Sequence, residues 1–347
     1  MTITRHFFAG SNSGKGFHSF FDNIIGPEAK RIYLLKGGPG TGKSSFMRYI
    51  AQTVGEHGYD RELFFCSSDS GALDAVSFPS LGIALVDATA PHVMDADLPG
   101  CRDQILALGD FWFKEELDEK RAEIIEGGRI KRAHFAAAFR YFAAALAVEE
   151  NIAAGNRSKR ADCAGQVGEI LPLIEPRRRG EHQGRVRRLF ASALTPEGYV
   201  SHIQSLVEGL PHRFILQGGL GMGQGEQLAA ILQYGQRAGY NVEAFHYPLN
   251  PARLLHITIP DLGLAVLSEL SLEPLGNIKG PRIICGPLDR TEEKDLLLWQ
   301  ELIEEGLKAL LDAQSSHIAV EEYYAGAMDF AALTEYRDEI LAEILLL

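Results

Sequence analysis

Residues 31–52 read RIYLLKGGPGTGKSSFMRYIAQ, and the fold follows from how that stretch divides. Ile32 to Leu35 form a short apolar run that suits a buried parallel strand, and Phe46, Met47 and Ile50 then recur at helical spacing. Between them, Gly37-x-x-x-x-Gly42-Lys43-Ser44 is a full Walker A pattern. Strand, glycine loop and helix form the arrangement that phosphate binding requires. Glycines let the backbone approach closely, several N–H groups point inward, and the helix N-terminus favours an anion. The pattern assigns Gly37, Gly38, Pro39, Gly40, Thr41, Gly42, Lys43, Ser44 and Ser45 to the phosphates of a nucleotide. Lys43 is expected on the β- and γ-phosphates and the Ser44 hydroxyl on Mg2+. No Asn-Lys-x-Asp or Thr-Lys-x-Asp motif that reads guanine occurs, so the expected nucleotide is ATP.

The chain also aligns with itself. Residues 31–85 lie over 212–266 without a gap, placing RIYLLKGGPGTGK on HRFILQGGLGMGQ. Gly58-Tyr59 falls on Gly239-Tyr240, Glu62 on Glu243, Phe64 on Phe245, and Leu81-Gly82 on Leu262-Gly263. One more residue of shift brings RHFFAGSNSGKGF (5–17) onto RRLFASALTPEGY (187–199). Further on, AHFAAAFRYF (133–142) resembles SHIAVEEYYA (316–325). Self-similarity of this extent indicates an internal duplication. GGLGMGQGE at 218–226 is therefore a second copy of the glycine loop, with Gln224 for Lys43, Gly225 for Ser44 and Glu226 for Ser45. An amide cannot neutralise phosphate, glycine offers no hydroxyl to a metal, and a carboxylate near the helix start repels an anion. The second loop is expected to be structural and not to hydrolyse nucleotide.

Chemistry should then reside where the first copy is polar and the second is not. GIALVD (82–87) resembles a Walker B strand whose Asp87 holds the Mg2+ shell; its counterpart GLAVLS has Ser268 there. Asp69 and Asp74, in FFCSSDSGALDAVSFP (64–79), are expected on a loop at the C-terminal ends of the strands. There either would orient the attacking water or take a substrate proton. Their counterparts are Asn250 and Leu255. His92, just beyond Asp87, is a weaker candidate for the site wall, and Lys15, matched by Glu197, belongs either to a strap over the phosphates or to an ordinary exposed turn.

Composition bounds the rest. Hydrophobic residues make up 46% of the 347, enough for real cores and against disorder. The nearly apolar run at 135–148 is short for a bilayer and carries Arg140, and MTITRHFFAG does not read as a signal peptide. Cys66, Cys101, Cys163 and Cys285 are scattered, as expected of reduced thiols in a cytoplasmic protein with no zinc site. A net charge of −12 argues against a nucleic-acid or membrane partner. The one exception, RRRGEHQGRVRR from Arg177 to Arg188, reads as a solvated linker, an anion contact, or the source of an arginine finger from Arg187 or Arg188.

The expected fold is α/β: parallel P-loop-type sheets flanked by helices, internally duplicated, with a degenerate phosphate loop in the second copy. The divisions are an N-terminal nucleotide-binding half at 1–175, an Arg-rich linker at 176–186 and a degenerate repeat at 187–347. Each half is expected to begin with the strap and a short helix and to close with long helices.

RHFFAGSNSGKGFHSFFDNII, GGPGTGKSS, CSSDSGALD and VDATAPHVMD together resemble an uncharacterised bacterial family of duplicated P-loop proteins regarded as ATPases. The resemblance runs over essentially the whole chain and implies ATP binding and hydrolysis, without supplying a substrate. Members of that family often keep a lysine in the second loop, from which Gln224 departs. Three functions follow: an Mg2+-dependent ATPase with one working site, a P-loop kinase with an unknown acceptor, or a non-hydrolysing nucleotide sensor. No protein partner is legible.

Overall fold

A computed structural model describes residues 2–161, 163–174, 183–288 and 293–347. The first half runs β1 (Thr4–Phe8), β2 (Gly10–Ser13), β3 (Gly16–Ser19), β4 (Arg31–Lys36), α1 (Lys43–Glu56), β5 (Arg61–Phe65), β6 (Leu73–Phe78), β7 (Ile83–Asp87), β8 (Asp103–Ala107), α2 (Lys114–Glu119), α3 (Arg121–Asn156) and α4 (Ala164–Val167). The second runs β9 (Val186–Leu189), β10 (Ser192–Thr195), β11 (Gly198–Ser201), α5 (Ile203–Val207), β12 (His212–Gln217), α6 (Gln224–Arg237), β13 (Val242–His246), β14 (Leu254–Ile259), β15 (Leu264–Glu269), β16 (Arg282–Ile284), α7 (Lys294–Gly326) and α8 (Phe330–Leu346). Each half holds a six-stranded sheet. The orders β1-β5-β6-β7-β4-β8 and β9-β13-β14-β15-β12-β16 correspond strand for strand. The fold is thus α/β with two similar halves.

The sheets are mixed rather than parallel. β6 runs antiparallel to both β5 and β7, as β14 does to β13 and β15. The reason is the connection: β5 and β6 are joined by a short turn around Asp69–Ala72, too short for the crossover a parallel neighbour needs. Asp74 consequently lies on β6, not on a loop.

β4 is buried along its middle because it sits between β7 and β8 and both of its faces are covered. Tyr33 and Leu35 face α1 and α8, while Ile32 and Leu34 face a core shared with the second sheet. That alternation is the period-2 geometry of a strand. Gly42 caps the start of α1, and its φ of +77° is a left-handed conformation that favours glycine. It buries Phe46, Met47, Ile50, Ala51 and Val54 at three- and four-residue spacing. Each larger apolar side chain contributes roughly 1.5–3 kcal/mol.

The helical ends exchange partners. α8 of the second half supplies Leu333, Ile340, Leu341 and Ile344 to the outer face of the first sheet, whereas Cys163, Val167, Ile170 and Ile174 cover the second. α3 and α7 pack antiparallel: a Cβ on Gly127 would meet Val320 at 2.3 Å, and one on Gly306 would meet the Phe142 ring at 2.3 Å. Among the described residues no helix is long and apolar enough to cross a membrane, and the four cysteines are free thiols.

The halves meet along β1 and β9. Phe8 and Phe190 exchange N–H to carbonyl bonds of 3.0 Å in both directions. Arg187 binds Glu62 across the boundary at 2.6 Å and Arg5 binds Glu243 at 2.5 Å. Arg187 is therefore not a finger for the first loop. Its guanidinium is held by Glu62 and lies over the Phe7 and Phe64 rings. Arg177, Arg178 and Arg179 of the same run lie outside the described residues. Burial opposes ionisation of Glu243, but Arg5 and Arg187 outweigh it and hold the carboxyl below its ordinary value.

Replacing Arg187 with Ala leaves Glu62 buried without this partner and should cost about 3–5 kcal/mol by urea unfolding. The apolar pair Arg187→Met with Glu62→Leu should recover most of that loss. For the wild type, the Glu243 contribution is complete above the ordinary carboxylate range and disappears as pH falls through the lowered folded value. A loss in Arg187→Ala below about 1 kcal/mol would show that the pairs do not hold the halves together.

Candidate functional site

The glycine loop 37–42 joins β4 to α1, and its shape rests on Gly40 and Gly42 at φ +69° and +77°. Lys43 folds back into the loop. Its Nζ donates to the carbonyls of Gly37 (3.0 Å) and Gly38 (2.7 Å) and lies 3.6 Å from Asp87 Oδ2. Asp87 ends β7, which pairs in parallel with β4 so that Leu35 is opposite Asp87. The register places the lysine and the carboxylate at the same sheet edge. Because β6 is antiparallel, its start reaches that edge too, which brings Asp74 beside Asp87.

Asp87 accepts bonds from both the N–H and the hydroxyl of Thr89. Burial outweighs Lys43 and Thr89 and pushes its carboxyl above the ordinary value. Asp74 is 3% exposed, and its Oδ2 has no hydrogen-bond partner among the described residues. Burial and the charge of Asp87 push it up to about 8. His92 Nε2 lies 3.6 Å from Asp74 Oδ1, yet burial and Lys43 depress the imidazole to about 4. Both partners are neutral at pH 7, so the contact is not an ion pair. Phe21 stacks on the His92 ring at 4.5 Å.

Ser44 Oγ accepts the Leu73 N–H at 3.0 Å, which leaves a lone pair for a metal. Ser44 carries a hydroxyl oxygen and Asp87 a carboxylate, both hard donors of the kind Mg2+ prefers. A second donor set, Cys66, Asp74 and His92, has its ligand atoms within 4.8 Å of one another and suits a softer ion. Asp69 bonds the Gly71 N–H and shapes the β5–β6 turn. Lys15 is exposed at the β2–β3 turn. The neighbouring Gly14 donates its N–H to Leu249 of the second half, while Phe17 of β3 packs against the His92 ring at 5.0 Å.

Three residues near Lys43 escaped the sequence reading. Cys66 lies beside Asp74, and Lys131 of α3 donates to His317 Nδ1 of α7 at 3.1 Å. Burial lowers both Lys131 and His317, and each feels the positive charge of Lys43. Only the likeness of AHFAAAFRYF to SHIAVEEYYA hinted that these helix segments belong together.

The second loop has the same frame. Gly221 and Gly223 take φ of +78° and +92°, and Gln224 Nε2 donates to the carbonyls of Gly218 (2.8 Å) and Gly219 (3.4 Å). These are the counterparts of the two carbonyls that Lys43 holds. Each loop is backed by the long helix of the other half. A Cβ on Gly40 would lie 2.6 Å from the Glu321 carbonyl oxygen of α7, and one on Gly221 would lie 2.5 Å from Ala153 Cα of α3. Arg188 does not approach the first loop; it donates to His246 Nε2 at 3.0 Å on the side of the second.

No family model, curated protein or solved structure matches this chain.

The folded Asp74 carboxyl titrates above its ordinary value, so stability falls as pH rises through that ordinary value towards about 8. Asp74→Asn, which cannot ionise, should melt a few degrees higher than wild type above pH 8. The gap should close below the ordinary carboxylate range. An equal or lower melting temperature at high pH would mean that the ionised carboxylate is well paired.

Proposed function

We propose that the first half binds ATP with Mg2+ in the loop 37–45 and hydrolyses it. On this proposal the loop is that of a P-loop nucleotide-binding protein and 218–226 is its degenerate copy. One observation carries it: Lys43, at the start of a helix behind a glycine loop, faces Asp87 at 3.6 Å across adjacent parallel strands. In an ATP complex the Lys43 ammonium would exchange the carbonyls of Gly37 and Gly38 for phosphate oxygens. The backbone of Gly38 to Ser45 would supply N–H groups. Ser44 and Asp87 would hold Mg2+, which when bound neutralises phosphate charge.

Asp74 is the residue we assign to the attacking water, with Asp69 the alternative. Asp74 is buried beside Asp87, whereas Asp69 is engaged with its own turn. A neutral Asp74 orients water by hydrogen bonding, and its ionised form accepts the proton. Lys131 adds a positive charge on the opposing helix. In the second half Gln224, Gly225 and Ser268 replace the lysine, the hydroxyl and the carboxylate, so Mg·ATP chemistry is assigned to the first half alone.

Calorimetric titration of Mg·ATP into wild type and Lys43→Ala, followed by phosphate release on the same samples, tests this. We expect a lysine-dependent site, and turnover reduced about 100-fold or more in Lys43→Ala. Turnover only with an added acceptor would make the protein a kinase. Tight binding with negligible turnover would make it a sensor. Undiminished turnover in Lys43→Ala would overturn the assignment.

A further inference from the structure

The second loop opens on a cavity of about 730 Å3, in the size range of small-molecule sites. Its floor is Gly221, Gly223 and the start of α6. Four arginines line it: Arg157, Arg160, Arg188 and Arg253. Ala229, Leu232 and Leu254 add an apolar wall. A loop that had kept its glycines for turn geometry alone would need no such surround.

The charges do not cancel. Arg253 is paired with the buried Glu149 and lies over the Tyr247 ring. Arg160 is paired with Glu226 at 3.0 Å and donates to the Gly221 carbonyl at 2.7 Å. Its guanidinium lies 3.8 Å from where a Gly223 Cβ would stand, at the loop itself. Arg157 and Arg188 face no carboxylate among the described residues. Arg188 meets His246, which burial keeps neutral by lowering it to about 4. The remaining acid, Glu150, is exposed.

We propose that this cavity binds a phosphorylated organic molecule of nucleotide size without a divalent cation. Arg157 and Arg188 would hold the phosphates against the loop, and the apolar wall would take the organic part. Guanidinium is suited to this work because its donors form a planar fork that matches phosphate oxygens. Gly225 has no hydroxyl at the position of Ser44 and Ser268 no carboxylate at that of Asp87, so the arginines are the counter-charge. Binding here does not depend on turnover at the first loop.

The test is calorimetry in EDTA with ADP, and separately with inorganic pyrophosphate, on Lys43→Ala and on Lys43→Ala/Arg157→Ala/Arg188→Ala. Lys43→Ala disables the first loop; Arg157 and Arg188 are exposed, and a melting curve checks that the triple variant stays folded although His246 loses the Arg188 bond. ADP should bind Lys43→Ala and weaken about tenfold or more in the triple variant. ADP binding alone would show that the organic part is read, and equal binding of pyrophosphate would show that the phosphates suffice. Either result supports the site. No binding of either probe at about 1 mM, or equal affinity in both proteins, would overturn it. The first-loop proposal fails separately, by loss of Mg·ATP binding in the wild type.

Discussion

Two buried arginine–carboxylate pairs cross the boundary between the halves, and the placement of both sheets depends on them. Arg187 reaches Glu62 and Arg5 reaches Glu243, related as the halves themselves are related. Phe7, Phe64 and Phe245 stack beside the charges, and Phe8 and Phe190 exchange backbone bonds. This is the self-complementary pattern of a two-fold dimer, realised within one chain. Buried pairs of this kind are costly when one member is missing, so the interface tolerates one register and penalises others. With the halves bridged at Phe8 and Phe190, the inner faces of the sheets close on a shared core and the outer faces are left for helices.

The exchange of helices follows. α8 completes the core of the first sheet and the segment around Cys163–Ile174 completes that of the second. α3 and α7 lie along one another and end on opposite loops. Neither glycine loop is then formed by its own half alone: Gly40 needs the space beside Glu321, and Gly221 the space beside Ala153. A bulkier residue at either glycine would meet helix backbone, which has little room to give. The duplication is therefore one structure, although each copy carries its own strand, loop and helix.

Within that symmetry the loops differ in chemistry more than in shape. Lys43 and Gln224 donate to corresponding carbonyls, so the amide preserves the folded loop while giving up the charge. The charge on the second side comes instead from arginines on other elements: beyond the end of α3, on β9, and in the turn before β14. On the first side Lys43, Asp87 and Asp74 lie together at one edge of the sheet.

The sequence by itself determined the strand–loop–helix around Lys43 and the duplication, and it singled out Lys43 and Asp87 as candidates without showing that they meet. These rest on local periodicity, glycine spacing and a repeat, all of which a linear chain displays. It did not determine that β6 is antiparallel, and so Asp74 was expected on a loop. A strand's direction is set by the length of its connections and by its neighbours, not by its own residues. Nor did it place Arg187, because a run of arginines looks alike whether it is solvated or buried against Glu62. RSKR at 157–160 was the available sign of the second cavity, but its meaning depends on α3 ending at Gly221. Lys131 and His317 meet only because α3 and α7 pack antiparallel. Tertiary structure decided which charges face one another, since contacts between residues far apart in sequence are fixed by packing and leave no local pattern.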